Sequence, residues 1–235
     1  MTTDQTIRDI VANDYRAAAV FERHGIDFCC GGDRTVEAAC TAKGLAPASI
    51  VEELEAATAA PGIGTPQFNE WDLPSLTSYI VANHHGYVRR AIPDLLQHTR
   101  KISAVHGEHH PELAQVAHIF EGVADEMLMH MMKEERMLFP YIDAMARAAS
   151  AGQPVPVAPF GTVQNPIRMM EMEHESAGTA MARINELTRG YQPPDDACTT
   201  YKVCLQELDA FERDLHAHVH LENNILFPRA AQLEG

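Results

Sequence analysis

The sequence has few aromatic residues, little positive charge and no long hydrophobic run. Aromatic residues make up 6% of the chain, and runs of β-branched residues are short, a composition that favours helices over sheets. Lysine and arginine total 18 against 33 aspartates and glutamates, a formal net charge of −15. Such a charge argues against nucleic acid and anionic membranes as partners. No apolar segment approaches the roughly 18–20 residues of a membrane-spanning helix, so we expect no membrane span.

The cysteines do not form the pattern of a disulfide framework. There are five, an odd number, and Cys29 and Cys30 are adjacent. A small secreted fold held by disulfides would show an even set at regular spacings. The N-terminus is polar almost from its start and does not have the pattern of a signal peptide. Together these features predict a cytoplasmic protein.

Helical periodicity divides the chain into two parts. The pattern of apolar residues in 1–57 predicts a small helical domain that carries the two adjacent cysteines. One of its helices is expected to begin near Thr35. Residues 58–70, rich in alanine, glycine, proline and threonine, have the composition of a linker. Residues 71–235 contain four long amphipathic segments, at about 73–101, 111–150, 162–189 and 197–231. The predicted fold class is all-α, with an antiparallel four-helix bundle after the small domain.

One motif occurs twice in the predicted bundle. His130 is followed by Glu134 and then by Leu-Phe-Pro at 138–140, and His218 is followed at the same spacings by Glu222 and Leu-Phe-Pro at 226–228. Residues i and i+4 lie on the same face of a helix, so each copy aims an imidazole and a carboxylate at one point. Both prolines fall inside helical segments, where we expect a kink or the end of the regular helix.

The predicted inward faces of the helices contain further histidines. These faces comprise Phe120, Val123, Met127, His130, Glu134, Met137 and Leu138 on the second helix, Ile167, Met170, His174, Ala177, Met181 and Ile184 on the third, and Leu208, Phe211, Leu215, His218, Glu222, Ile225 and Leu226 on the fourth. His174 precedes His218 by 44 residues, and His85 precedes His130 by 45. The neighbouring His84 is an alternative to His85. The bundle therefore reads as two copies of one helical hairpin, each with one histidine on its first helix and His-x-x-x-Glu on its second.

Four imidazoles and two carboxylates on otherwise apolar faces predict a centre for two metal ions. Imidazole suits iron, copper and zinc, and a carboxylate can bridge two ions and compensate their charge. Buried glutamates without partners would be costly, and metal coordination removes that cost. Any one of these histidines alone would more simply be a core residue, but repetition at identical spacing favours metal binding.

Several other polar residues near this motif have alternative interpretations. Glu126 and Glu173 are either hydrogen-bond partners of the ligands or solvent-exposed charges. His216 and His220 are expected on a solvent-exposed face. A cluster of three histidines before Pro111 is expected to be exposed in a loop, namely His106, His109 and His110. The alternative for His106 is that it folds towards the end of the bundle.

Cys29 and Cys30 precede the glycine pair Gly31-Gly32. Adjacent cysteines rarely bridge each other without strain. The functional interpretations are thiol redox chemistry and transient holding of iron or of a cluster. The structural alternative is one buried and one exposed cysteine that pack a small helical unit. The three remaining cysteines have no evident partner in the sequence, namely Cys40, Cys198 and Cys204.

The four-helix part resembles the hemerythrin-like di-iron proteins, and the whole chain resembles the iron–sulfur cluster repair di-iron proteins (the Ric family). Three stretches carry the resemblance, 27–32, 130–140 and 218–228, with further support from 171–178 and Cys198. It implies a non-haem centre of two iron ions. The implied terminal ligands are His85, His130, His174 and His218, and the implied bridges are Glu134 and Glu222. His85 matches the family pattern because it stands eight residues before Pro93, although the family usually has one histidine where this chain has two.

The resemblance also implies a function, the repair of iron–sulfur clusters damaged by nitrosative or oxidative stress, with iron delivery as one route. The implied partners are damaged iron–sulfur proteins as clients and nitric oxide or O₂ as small ligands, and the implied state is a monomer or a homodimer. The alternatives are nitric oxide reduction at the di-iron site and reversible binding or sensing of O₂ or nitric oxide. Whether the protein is an enzyme stays open, with Cys29 and Cys30 as candidate reactive thiols. The double-cysteine unit favours repair over O₂ carriage.

Overall fold

The computed structural model describes residues 1–59 and 66–234. Within these ranges the chain forms helices and turns without β-strands, apart from one isolated bridge between Thr6 and Thr35. The all-α prediction is confirmed. Residues 60–65 of the predicted 58–70 linker lie outside the described residues, and the domain boundaries at 57 and 71 stay predictions.

The N-terminal part contains four short helices, α1 (Ile7–Asn13), α2 (Ala18–Arg23), α3 (Val36–Lys43) and α4 (Pro47–Thr58), with a 3₁₀ turn at Tyr15–Ala17. The Thr35 hydroxyl caps α3 by accepting the N–H of Ala38 at 3.2 Å, which confirms the predicted start of that helix. Gly44 ends α3 with a φ of +67°, a left-handed conformation that glycine adopts without strain.

Four long helices follow, and three of them are interrupted by a π-helical turn. The first comprises α5 (Leu73–Ile80), a π turn at Val81–His85 and α6 (Gly86–His106). The second comprises α7 (Glu112–Lys133), a π turn at Glu134–Leu138 and α8 (Phe139–Ser150), and the third is α9 (Gln164–Leu187). The fourth comprises α10 (Thr199–Leu221), a π turn at Glu222–Leu226 and α11 (Phe227–Glu234). The helices pack α6 on α7, α7 on α9, and α10 on both α6 and α9, which closes the predicted four-helix bundle.

The π turns modify what the sequence predicted around the two Leu-Phe-Pro motifs. Each motif's Phe N–H donates to the carbonyl five residues earlier, that of Glu134 or Glu222. The regular helix is therefore interrupted one turn before each proline and continues beyond it. The extra residue of a π turn shifts the register of the helix face. The inward position predicted for Met137 is consequently wrong, since its side chain is 56% exposed, whereas the other predicted inward residues are buried.

The N-terminal part packs against the fourth helix. Asn224 is buried, and its amide donates to the carbonyl of Phe28 at 3.0 Å and to Nδ1 of His220 at 2.9 Å. The rings of Tyr15 and Phe28 pack around His220. The predicted exposure of His220 is therefore wrong: the side chain is buried, and burial lowers its pKa to about 3. His216 is half-buried. None of the described helices combines the length and the apolar composition needed to cross a membrane.

Candidate metal centre

The six predicted ligands meet in the interior of the bundle. The π turns place three of them, because His85 is the last residue of the first turn and Glu134 and Glu222 open the other two. The remaining three are His130 on α7, His174 on α9 and His218 on α10. All six side chains are at most 1% exposed.

The side chains form two groups that share both carboxylates. One group contains His85 and His218, the other contains His130 and His174, and both include Glu134 and Glu222. Within each group the ligand atoms lie within 4.8 Å of one another. Each group therefore takes one histidine from each of the two repeated hairpins.

The carboxylates are placed to bridge the two groups. Oε2 of Glu222 lies 3.0 Å from Nε2 of His174, and Oε1 lies 3.0 Å from Nε2 of His218. Oε2 of Glu134 lies 3.3 Å from Nε2 of His85 and 3.2 Å from Nε2 of His130. Each glutamate thus contacts one histidine of each group.

The hydrogen bonds around the histidines indicate that their Nε2 lone pairs point inward. Oxygen acceptors stand at Nδ1 of three rings: Glu135 at 2.7 Å from His85, Glu173 at 3.0 Å from His130 and Asn223 at 2.8 Å from His174. A neutral ring that donates through Nδ1 has its lone pair on Nε2.

That arrangement fits a cation. The two Nε2 atoms are 3.2 Å apart in the first group and 3.1 Å apart in the second, and facing lone pairs at such distances repel unless a proton or a cation lies between them. Both oxygens of Glu134 and Oε2 of Glu222 are also buried without a hydrogen-bond partner among the described residues. Buried charged oxygens left unpaired are costly. The donor set is one that iron, zinc and copper accept.

The charges inside the cluster shift the pKa values of its members. Burial disfavours a charged His130, but Glu134, Glu173 and Glu222 together outweigh burial, raise the pKa of His130 to about 10 and favour its protonated form. Burial likewise opposes the ionised form of Glu222, yet the neighbouring imidazoles of His218 and His174 hold its pKa well below the usual range. Metal ions would replace these protons, because the imidazoles must be neutral to coordinate.

The residues that orient the ligands also follow the repeat, although helical periodicity did not identify two of them. Glu135 and Asn223 come directly after the two bridging glutamates, and each accepts from the histidine on the first helix of its own hairpin. The phenylalanine of each Leu-Phe-Pro motif stacks on the same histidine: Phe139 on His85 with centroids 5.8 Å apart, and Phe227 on His174 at 6.1 Å. Glu135 and Asn223 occupy equivalent positions in the two copies of the motif, as do Phe139 and Phe227. This equivalence is the sequence signal that could have identified them.

The repeat breaks down at His84. Glu173, directly before His174, accepts from His130, so the residue directly before His85 would be expected to accept from His218. That residue is His84, which instead contacts Asp214 at 3.0 Å and stacks on His218 with centroids 5.6 Å apart. The structure thus places His85 in the cluster and His84 outside it. In the part of the chain that the structure describes, Nδ1 of His218 has no hydrogen-bond partner.

Glu126 and Glu173, which the sequence allows either as partners of the ligands or as solvent-exposed charges, differ in position. Glu173 is tied to His130 and Lys133, and the hydrogen bond from His130 lowers the pKa of Glu173 to about 2. Glu126 accepts from Ser176 at the surface, at 3.3 Å. Only Glu173 contacts a predicted ligand.

Cys29 and Cys30 lie outside the two His/Glu groups. Cys29 is buried, Cys30 is half-buried, and both thiols are free. The hydrogen bond with Cys30 and burial raise the pKa of the Cys29 thiol well above its usual range. The amide of Asn223 donates to the carbonyl of Cys29 at 3.5 Å, so the cysteine loop packs behind the residue that orients His174.

A smaller polar cluster occupies the opposite end of the bundle. Nε2 of His106 lies 3.1 Å from the thiol of Cys198, and His110 contacts Asp196 at 3.0 Å. Cys198 therefore has a partner that its sequence context did not reveal.

Comparison with known proteins relates both parts of the chain to described families. A family profile described as the hemerythrin HHE cation binding domain matches residues 76–230, and one described as a domain of unknown function (DUF542) matches residues 3–58. The iron-sulfur cluster repair protein YtfE of Pectobacterium atrosepticum is 33% identical over 231 residues, which cover 98% of each chain. The chain belongs to the YtfE family of iron-sulfur cluster repair proteins.

Other members of the YtfE family match over a similar length. The YtfE protein of Pectobacterium carotovorum is also 33% identical over 231 residues. That of Yersinia pestis is 32% identical over 219 residues, or 93% of each chain. All six side chains of the His/Glu cluster fall within the match to the cation-binding domain.

Proposed function

We propose that this chain holds two iron ions and repairs iron–sulfur clusters damaged by nitrosative or oxidative stress. The observation that carries the proposal is the pair of ligand groups that share Glu134 and Glu222. Two ligand groups with common carboxylates can hold two neighbouring ions, whereas a single site of three or four ligands would hold one. The names of the relatives, iron-sulfur cluster repair proteins, supply the function.

In this proposal His85, His130, His174 and His218 are terminal ligands, and the two glutamates bridge. When bound, the two iron ions would supply redox chemistry and would themselves be available for transfer. Each ion would be held by two imidazoles and by the shared carboxylates, a donor set that would leave coordination positions for further ligands. These positions would admit nitric oxide or O₂ as small ligands.

The protein's own residues contribute orientation and exclusion of water. Glu135, Glu173 and Asn223 hold three imidazoles by Nδ1, an arrangement that fixes the ring and makes Nε2 a better donor. Phe139 and Phe227 cover two of the rings and are themselves buried. We place this activity in the cytoplasm, where the free cysteines would stay reduced.

The test is rescue of a damaged client. An enzyme that depends on a [4Fe–4S] cluster is nitrosylated or oxidised and then incubated with the iron-loaded protein without O₂. We expect its activity to return with the wild-type protein and with Glu126→Gln, whose site lies on the surface, but not with Glu222→Ala. Absence of rescue by the wild-type protein would contradict the proposal.

Nitric oxide reduction is the alternative use of the same open positions. It predicts nitrous oxide over several turnovers when the iron-loaded protein receives nitric oxide and a reductant. Product limited to a single turnover would eliminate it and leave repair as the function of the site.

A further inference from the structure

The loop that carries the two adjacent cysteines brings three potential metal ligands together. The thiols of Cys29 and Cys30 lie 3.9 Å apart, and the thiol of Cys29 lies 3.3 Å from Oδ1 of Asp27. The backbone N–H groups of both cysteines donate to the same Asp27 oxygen at 3.0 Å, which fixes the carboxylate beside the thiols. The three ligand atoms lie within 4.8 Å of one another.

We propose that Asp27, Cys29 and Cys30 form a second metal site, for a divalent cation that accepts thiolates, such as Zn²⁺ or Fe²⁺. A tetrahedral ion with metal–sulfur bonds of about 2.3 Å places two sulfur ligands about 3.8 Å apart. With a metal–oxygen bond of about 2.1 Å, a sulfur and an oxygen ligand lie about 3.6 Å apart. The observed separations of 3.9 and 3.3 Å are close to these values. The loop thus already holds these ligand atoms at distances that suit an ion, so that binding requires no movement of the backbone.

The glycine after the cysteines keeps this geometry open. A Cβ atom at Gly31 would stand 3.1 Å from Oδ2 of Asp27 and 3.0 Å from the Arg34 guanidinium, closer than side chains normally approach. A side chain at this position would require Asp27 or Arg34 to shift by a few tenths of an ångström. Gly31, the glycine directly after the cysteines, therefore leaves room for the Asp27 carboxylate in the site.

Three protein ligands leave the fourth tetrahedral position for water or another ligand. The site faces an open groove of about 1500 Å³ between the N-terminal part and the bundle, which Arg168, Glu175 and Asn223 also line. An ion held here is accessible, whereas the His/Glu cluster is enclosed. Closed four-ligand sites are typical of structural zinc, and open ones of ions that react or exchange.

Binding is an exchange of protons for the cation. Both S–H bonds break, two sulfur–metal bonds form, and two protons leave to solvent without transfer of electrons. Asn223 links the site to the buried centre, because its amide donates to the Cys29 carbonyl and its oxygen accepts from His174. The site would serve as a port through which iron enters or leaves that centre; this role, unlike the site itself, rests on the proposed function.

The test uses Co²⁺ as the probe, because thiolate ligation of Co²⁺ produces a charge-transfer absorption in the near ultraviolet that His/Glu ligation does not. The iron-loaded, full-length protein is titrated under reducing conditions without O₂. We expect a saturable band in the wild-type protein and its loss in Cys30→Ser. Asp27→Asn keeps the oxygen that accepts the backbone N–H groups but loses the charge, and we expect Co²⁺ binding weaker by roughly tenfold or more.

Two matched variants complete the design. Cys198→Ser removes an exposed thiol at the other end of the bundle, and His130→Ala removes a ligand of the buried centre; both should keep the band. Retained iron in Cys30→Ser and Asp27→Asn reports that their fold is intact. No band in the wild-type protein, a band that survives Cys30→Ser, or a band lost in Cys198→Ser would overturn the site.

The outcome is separable from that of the proposed function. A cobalt band in a protein whose His/Glu cluster takes no iron would contradict the di-iron proposal and leave the sulfur site standing. Iron in the cluster without a cobalt band would overturn the sulfur site alone.

Discussion

Glu173→Gln tests whether the residues around the six ligands tune metal binding. Glu173 accepts from Nδ1 of His130 at 3.0 Å and also pairs with Lys133. Glutamine keeps a carbonyl oxygen for the hydrogen bond but loses the negative charge that makes the imidazole a stronger donor. The pair with Lys133 is partly exposed, with side chains 35% and 27% accessible, and contributes at most about 1 kcal/mol to folding.

The expected magnitude follows from the kind of hydrogen bond that is lost. A hydrogen bond to a charged group contributes about 1.5–3 kcal/mol and a neutral one about 1 kcal/mol. The difference, about 0.5–2 kcal/mol, corresponds to a binding of iron that is weaker by roughly two- to thirtyfold. Complete removal in Glu173→Ala should approach the upper end of the roughly 10–100-fold losses known for such partners.

The assay is competition for Fe²⁺ between the protein and a coloured chelator without O₂. Glu126→Gln is the matched control, because it removes the same charge from the surface of α7 without contact to a ligand. The reasoning fails if Glu173→Gln and Glu126→Gln bind iron equally well, or if Glu173→Ala binds as tightly as the wild-type protein.

Three further predictions concern stability and ligand identity. Removal of the metal should lower the melting temperature by about 10 °C. Free metal at about 1,000 times its dissociation constant stabilises a fold by about 4 kcal/mol, and 1 kcal/mol shifts the melting temperature of a domain of this size by about 2–4 °C. Equal melting curves with and without chelator would contradict a metal bound to the native state. Asn224→Ala should cost about 2–3 kcal/mol in urea unfolding, because it leaves the Phe28 carbonyl and His220 unpaired in the interior, whereas Asn83→Ala, at an exposed residue with one local hydrogen bond, should cost under about 0.5 kcal/mol. His84→Gln should retain both metal ions and His85→Gln should not, as measured by metal analysis; the reverse result would show that the wrong histidine was assigned.

The sequence was sufficient to predict the bundle and to select the residues of the cluster. Spacing alone put His130 and Glu134, and then His218 and Glu222, on common helix faces, and the repeat pointed to His174. It could not decide between His84 and His85. The side chains of adjacent helix residues point in different directions, and the sequence does not show which of the two points into the bundle. The structure distinguishes them by their ring nitrogens: Nε2 of His85 faces Nε2 of His218 in the cluster, whereas Nδ1 of His84 faces Asp214.

The sequence failed where the outcome depends on local backbone geometry or on packing between distant segments. Met137 was placed inward by a regular helical period, but the π turn at Glu134–Leu138 moves it to the surface. His220 was placed outward because the fourth helix was considered alone, and the N-terminal part covers it. Asn223 and Glu135 act on histidines 49 and 50 residues away in the chain, a pairing that helical periodicity does not contain.

The most direct test of the central claim is the metal content of protein purified without O₂, measured for the wild-type chain and for His130→Ala and His174→Ala. Two shared-carboxylate groups predict two iron ions per wild-type chain and a clear loss of iron in each variant, since both remove a ligand from the same group. One ion or none in the wild-type chain, or a metal content that both substitutions leave unchanged, would contradict the dinuclear centre.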